Sequence, residues 1–266
     1  MSGGNAMTES YRVIAYNSAQ ESENKIHDDA VARRFGFTGG LVPGVDVWAY
    51  MAHPAMARWG RAWLERGEGS CRFAKPVYDG DEAVVTAEET PDGLAIGVRS
   101  HGAACAEGSA ALPALPAEPG AFAAPPAPPE HRPPADETSL AVGTLLGMRK
   151  LELTESFHHA YLRDVRETDP HCAREGLAHP GMILRTGNWA LSHNVVLGPW
   201  MHVGSHIRNL SAARVGETIT VHARVAANYE RKGHRFVELD ALTLAGGTRP
   251  VALIRHVAIY RPRQAG

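Results

Sequence analysis

The sequence predicts an α+β protein of two tandem units, each a long helix enclosed by a curved antiparallel sheet, paired about a pseudo-twofold axis. Three observations carry this. The stretch LPALPAEPGAFAAPPAPPEHRPP, residues 112–134, divides the chain, because neither helix nor ladder hydrogen bonding continues through so many prolines. Landmarks on its two sides recur: Pro43-Gly44 and Pro180-Gly181 stand 137 residues apart, and the Gly80-Asp81 and Gly216-Glu217 turns 136 apart. Each side also holds one run of helical period followed by several of period two.

The elements follow in order. Residues 1–10 form an N-terminus expected to be flexible, and the first unit spans 11–112. In it, Asp28 and Asp29 cap a short helix, DDAVARRFG. Val45, Trp48, Ala52, Ala55, Met56, Trp59 and Trp63 then repeat at helical spacing, with Pro54 expected to kink that helix. Residues 82–89, 94–101 and 103–111 read as strands. Segment 113–139 is a semi-rigid linker, expected to be poorly packed. The second unit, 140–263, repeats the helix with Met182, Ile183, Trp189 and Ala190 on one face. Ile219, Val221, Ala223 and Val225 then alternate with polar residues as a half-buried strand, a hairpin turns near Lys232-Gly233, and VALIRHVAIY closes the sheet.

Composition excludes several classes of function. The 27 basic and 29 acidic residues leave a net charge of -2, with no basic run to release counterions from a phosphate backbone, so nucleic acid is not an expected partner. No apolar stretch approaches the roughly 20 residues that span a bilayer, and residues 1–10 lack an export signal, so a cytoplasmic protein without a membrane partner is expected. Cys71, Cys105 and Cys172 show no CxxC spacing, against a disulfide framework or thiolate zinc site. His27-Asp28-Asp29 and His158-His159 lack HxxxH spacing, so no metal site is expected. No GxxxxGK phosphate loop or GxSxG elbow is present.

The stretch Asn24-Lys25-Ile26-His27-Asp28, then Ala32, Phe35-Gly36-Phe37 and Leu41-Val42-Pro43-Gly44, resembles the MaoC-like acyl dehydratases and (R)-specific enoyl-CoA hydratases. Their motif runs D-x-N-P-x-H, an Ala and Gly-Phe, then an apolar pair and a Gly opening the central helix. RFAKPVYDGDEAVV, residues 72–85, is similar to the family's strand and Gly-Asp turn, and Ala178-His179-Pro180-Gly181 and RVGETITVHARV match more loosely. The resemblance implies a double hotdog fold, a coenzyme A or carrier-protein thioester as substrate, and no cofactor besides coenzyme A within that substrate. Because the fused halves already form the pair that single hotdog chains make by dimerising, a further homodimer is optional.

Hydrating a 2-enoyl thioester needs a base for water, a proton donor to the α carbon, and donors for the developing enolate oxygen. The resemblance places His27 on the family's His and Asn24 on its Asn, while Ser22 occupies the Asp position and Lys25 the Pro position. Glu21 or Glu23 is then the carboxylate partner for His27, and the Gly44 amide faces the thioester oxygen, with Val45 and Trp48 shaping the groove. In the second half Asp169-Pro170 resembles the Asn-Pro step, which puts Cys172 at the His position and Asp164 or Arg166 near the Asp position; His179 and Gly181 are its substrate-binding candidates. Arg72, Lys75, Arg208, Arg231 and Lys232 are candidates for phosphate contacts. Two alternatives stay open: a thioesterase directed by Glu21, Glu23 or Asp28, and a catalytically silent acyl-thioester binding or assembly protein.

Overall fold

The structure, a computed structural model, describes residues 9–263. The first unit contains β1 (Glu9–Ile14), α1 (Asp29–Arg34), α2 (Gly44–Trp59), α3 (Arg61–Arg66), β2 (Glu68–Phe73), β3 (Glu82–Thr90), β4 (Gly93–Ser100) and β5 (Ala103–Ala111). The second contains β6 (Leu145–Leu146), β7 (Leu151–Glu152), α4 (Glu155–Asp164), α5 (Pro170–Glu175), α6 (Pro180–Ser192), β8 (Met201–Asn209), β9 (Thr218–Arg231), β10 (His234–Ala245) and β11 (Arg249–Arg261). Residues 1–8 of the expected flexible N-terminus lie outside the described residues. Glu9 and Ser10 do not belong with them, since they open β1 opposite Ala87 and Thr86.

The strands run in the order β1-β3-β4-β5-β2-β8-β11-β10-β9-β6, with β7 also paired to β9. Each half therefore has one strand order read outward from the centre, and the halves join where β2 meets β8 antiparallel, Ser70 opposite His206. Both central helices, α2 and α6, are buried against this sheet and against each other. The duplication reaches single hydrogen bonds: Val42 N–H donates to the Val77 carbonyl as Ala178 N–H does to Ala213, and an isolated bridge joins Leu41 to Tyr78 as another joins Leu177 to Arg214. This is the double hotdog fold that the recurring landmarks predict.

Local chemistry sets the element ends. Lys232 and Gly233 both take positive φ (53° and 76°), the two left-handed residues of a hairpin turn matched to strand twist. Pro54 lies inside α2, but the chain breaks instead at Gly60 (φ 54°), so Trp63 belongs to α3 and not to the α2 stripe. The Pro-rich segment is docked rather than loose. The Arg66 guanidinium donates to the Pro113 carbonyl, Val196 N–H donates to Pro133 at 2.7 Å and Ala135 N–H to Val196 at 3.0 Å, while half-buried Phe122 lies by the outer sheet residues His206, Asp240 and Arg255. Proline leaves its carbonyl free to accept, and the linker uses that capacity at both ends.

Candidate functional site

The loop between β1 and α1 folds on Asn24. Its side-chain oxygen accepts from Ile26 N–H, starting a 3-10 turn over Lys25–His27, and from Trp200 N–H at 3.2 Å, while its amide donates to the Trp200 carbonyl at 3.0 Å. One side chain thus ties the first unit's loop to the entry of β8. The turn delivers His27, whose Nδ1 lies 2.6 Å from the Leu41 carbonyl. A carbonyl only accepts, so Nδ1 carries the proton and Nε2 keeps its lone pair, 3.3 Å from the Asn24 amide nitrogen. Burial lowers the His27 pKa and outweighs the Leu41 hydrogen bond and the Asp46 charge that favour the cation, so the ring is neutral near pH 7.

Asn24 and His27 line a cavity of about 260 Å³ at the start of α2. Its walls are mostly apolar, with Val42, Val47, Phe73, Val77 and Trp200 among them, and its polar members are Asn24, His27, Lys75, Asn188 and His202. Among the described residues no aspartate or glutamate lines it. Helix α2 opens here after Pro43 with no side-chain cap, so the Gly44 amide at its positive end is left open to the cavity. A Cβ at Gly44 would lie 2.9 Å from His202 Nδ1 and 3.1 Å from Phe73 Cε2, so only glycine lets β2, β8 and the helix end converge so closely.

The sequence-derived candidates divide. His27, Asn24 and Gly44 are brought together. Glu23 is not: it pairs with Arg132 at 2.9 Å and is mostly exposed, because the linker brings that guanidinium over the loop. Glu21 is exposed and likewise absent from the cavity lining, and Ser22 donates to the Asn24 carbonyl at 3.3 Å. The expected carboxylate partner of His27 is therefore missing. Val45 and Trp48 also miss the cavity. Gly44 and Val47, three apart on α2, face it, whereas Val45 and Trp48 are turned by a helical step into the core, where Trp48 packs beside Trp63 and over Gly69. Of the proposed phosphate contacts, Lys75 borders the cavity, while Arg72 pairs with Glu107 and Arg208 with Glu68.

The second unit's equivalent position is filled. Gly181 N–H, the counterpart of the open Gly44 amide, donates to His179 Nδ1 at 3.1 Å, and His179 Nε2–H donates to Glu167 at 3.0 Å. His53 from α2 donates to the other Glu167 oxygen at 2.6 Å. Burial alone would raise the Glu167 pKa, but these two imidazoles hold its carboxyl far below the usual range. Tyr161 Oη would lie 2.3 Å from a Cβ on Gly181. His179 and Gly181 are both buried, with the amide already capped, so neither is open to a ligand in this arrangement. Nor does Cys172 occupy the histidine position: Asp169 caps α5 as Asp28 caps α1, which aligns His27 with Thr168, and Cys172 is buried against Met56 Sδ at 3.8 Å.

Sequence reasoning missed Asn188 and His202, both from the second unit. Asn188 Oδ1 is buried with no hydrogen-bond partner among the described residues, and so is His202 Nδ1. Strand alternation puts His202 and Ser205 on opposite faces, but the β8–β11 ladder slips at Val203: Val257 faces Gly204 and Ala258 faces His202. That bulge turns both side chains inward, so His202 Nε2 and Ser205 Oγ meet at 2.8 Å.

No protein-family model and no curated protein matches the chain. Solved structures match its fold over nearly full length. Rv0216 from Mycobacterium tuberculosis, a conserved hypothetical protein with a double hotdog fold, aligns with a TM-score of 0.67 and 13% identity over 96% of each chain. A MaoC domain protein from Chloroflexus aurantiacus J-10-fl, described as a candidate dehydratase, aligns with a TM-score of 0.60 and 12% identity over 97% of this chain and 96% of that one. A candidate thioesterase from Novosphingobium aromaticivorans gives 0.53 and 12%, covering 84% and 89%. The chain thus has the double hotdog fold found in MaoC-like dehydratases. No helix among the described residues is long and apolar enough to cross a membrane.

Proposed function

We propose that the protein processes acyl thioesters, adding water to a 2-enoyl thioester or removing it from a 3-hydroxyacyl thioester, in the cavity of the first unit. The observation that carries this reading is the neutral His27, proton fixed on Nδ1 by the Leu41 carbonyl, in the same cavity as the uncapped Gly44 amide. In hydration, Nε2 takes a proton from water as the oxygen bonds to C3. The electron pair of the C2–C3 double bond moves toward the carbonyl, and the Gly44 amide at the helix end receives the charge on the thioester oxygen. The imidazolium, supported through Nδ1–H by Leu41, then returns the proton to C2. One base serves both proton transfers, which suits a cavity lined by no carboxylate. The fold similarity to a MaoC domain protein supports the same chemistry.

The cavity is small for a long acyl chain and suits a short one, with Asn188 Oδ1 as the acceptor for the 3-hydroxyl of the 3-hydroxyacyl form. Coenzyme A or a carrier protein would supply the thiol, with Lys75 at the rim. A carboxylate-driven thioesterase is disfavoured by that same lining. A binding-only protein is the second reading, favoured by the loss of the carboxylate beside His27. A screen of crotonyl, longer enoyl and saturated acyl thioesters, following alkene absorbance and thiol release together, separates the three. Loss of alkene absorbance without thiol release supports the proposal; thiol release, or binding without turnover, overturns it.

A further inference from the structure

We propose that His202, from the second unit, is a second donor to the thioester carbonyl oxygen, its Nδ1–H working beside the Gly44 amide of the first. The assignment rests on the acyl-thioester reading above and deepens it, because it makes the site dependent on both halves of the duplicated fold.

Ser205 Oγ lies between His202 Nε2 at 2.8 Å and His256 Nδ1 at 3.0 Å, and the two imidazoles stack with centroids 4.2 Å apart. A hydroxyl has one proton, so it donates to one ring and accepts from the other. Both rings are neutral: burial lowers the His202 pKa far below the ordinary value, with the neighbouring His256 adding to this, and burial pushes His256 down to about 3.

Two arrangements remain. In one, Ser205 donates to His202 Nε2, so His202 carries its proton on Nδ1, and His256 donates its own Nδ1–H to Ser205. In the other, every proton is reversed, which leaves His202 Nδ1 as a bare lone pair and puts a proton on His256 Nε2. Neither His202 Nδ1 nor His256 Nε2 has a partner among the described residues. The His256 ring is packed against Gly187, where a Cβ would approach it to 3.0 Å, whereas His202 lines the cavity and its Nδ1 would lie 2.9 Å from a Cβ built on Gly44.

A carbonyl oxygen entering at Gly44 decides between them. It accepts from His202 Nδ1–H in the first arrangement and leaves only the His256 lone pair unsatisfied. The second would leave a buried N–H without an acceptor, and orphaned N–H groups are the rarer and costlier case. The ligand thus selects the donor tautomer, and Ser205 and His256 act as positioning residues that hold it. The bulge at Val203 is the backbone feature that makes this chain of groups possible.

The test compares His202→Leu and His202→Asn with wild type in crotonyl-CoA hydration, with thermal unfolding of each recorded. His202→Leu is expected to lower kcat roughly a hundredfold with little change in KM, the scale for losing one oxyanion donor. His202→Asn, whose amide can present an N–H near the Nδ1 position, should recover to within about tenfold of wild type. A folded His202→Leu with unchanged kcat, or equal losses in both variants, overturns the assignment. A second readout does not depend on turnover: the carbon-13 shift of C1-labelled butyryl-CoA on binding. If wild type binds without hydrating and His202→Leu loses part of that shift, the hydratase reading falls and His202 stands. If wild type hydrates and the shift is the same in both, His202 falls and the hydratase reading stands; failure of wild type to bind the thioester overturns both. Should His202→Leu not fold, the imidazole nitrogen-15 spectrum of wild type decides, since butyryl-CoA must leave His202 protonated at Nδ1 and a bare Nδ1 refutes the proposal.

Discussion

Replacing Asn188 by leucine should stabilise this protein and impair it at once. Asn188 sits on α6 with its Oδ1 buried and unpaired among the described residues. An unsatisfied buried polar atom costs about 1–3 kcal/mol, and leucine is a better helix former by a few tenths. The side chains are similar in size, so no new cavity opens, and we expect a gain of about 1 kcal/mol, at the low end because the residue is only half-buried. For a chain of this length that corresponds to a rise in Tm of about 2–4 °C, readable by calorimetry. The same change removes the acceptor for the 3-hydroxyl of the hydrated acyl group, so kcat/KM for dehydration of the best short 3-hydroxyacyl thioester should fall about tenfold, the worth of one neutral hydrogen bond. A lower Tm would mean that the amide is satisfied in the folded protein, and a higher Tm with unchanged kcat/KM would mean that Asn188 does not touch substrate; either refutes the reasoning.

Further outcomes follow from the same geometry. His27→Ala should lower hydration turnover by roughly a hundredfold or more while leaving butyryl-CoA affinity within a few-fold, measured by steady-state kinetics and calorimetric titration. Because burial lowers the His27 pKa and the base must be unprotonated, kcat/KM should be flat through neutral pH and fall only below pH 6.5; a limb centred above 7 contradicts this. Gly44→Ala puts a Cβ 2.9 Å from His202 Nδ1, so it should cost roughly 1–3 kcal/mol in denaturant unfolding as well as activity. His256, with its pKa pushed to about 3, refuses a proton that the unfolded chain accepts below pH 6.5, so its stabilising contribution is present above that pH and is lost as pH falls toward 3. His256→Gln should therefore make the acid loss of stability shallower by up to about 1.4 kcal/mol per pH unit over that window.

Much of the fold is legible in the sequence because duplication and alternation are local signals. Gly44 and Gly181, or Gly80 and Gly216, need no tertiary information to be paired. His27, Asn24 and Gly44 are legible for a similar reason, since a short loop and the helix start it leads to carry their spacing. What the sequence hides is whatever depends on contacts between distant segments. Nothing near Glu23 announces Arg132, which reaches it from 109 residues away. The apolar stripe of α2 is wide enough that Val45 and Trp48 fit a groove as well as a core, and only the packing of β2 separates them from Val47. A one-residue bulge at Val203 hides the His202–Ser205 pair by reversing the alternation that strand reading relies on. In the second half the register is legible: Ala32-Arg33 and Ala173-Arg174 stand 141 residues apart, which sets Asp28 against Asp169 and His27 against Thr168, whereas matching the Asn-Pro step to Asp169-Pro170 sets Cys172 against His27.

On the proposed reading, one half of the duplicated fold holds an open acyl-thioester site while the other half's counterpart is closed by its own side chains. A crystal structure with butyryl-CoA, a saturated thioester that keeps the carbonyl and cannot be hydrated, tests this most directly. A single acyl group is expected in the cavity of the first unit, with its carbonyl oxygen at the Gly44 amide and C3 beside a water held by His27 Nε2, and none at Gly181. An acyl group bound at Gly181, with His179 displaced from its amide, or one seated away from the start of α2 altogether, would contradict it.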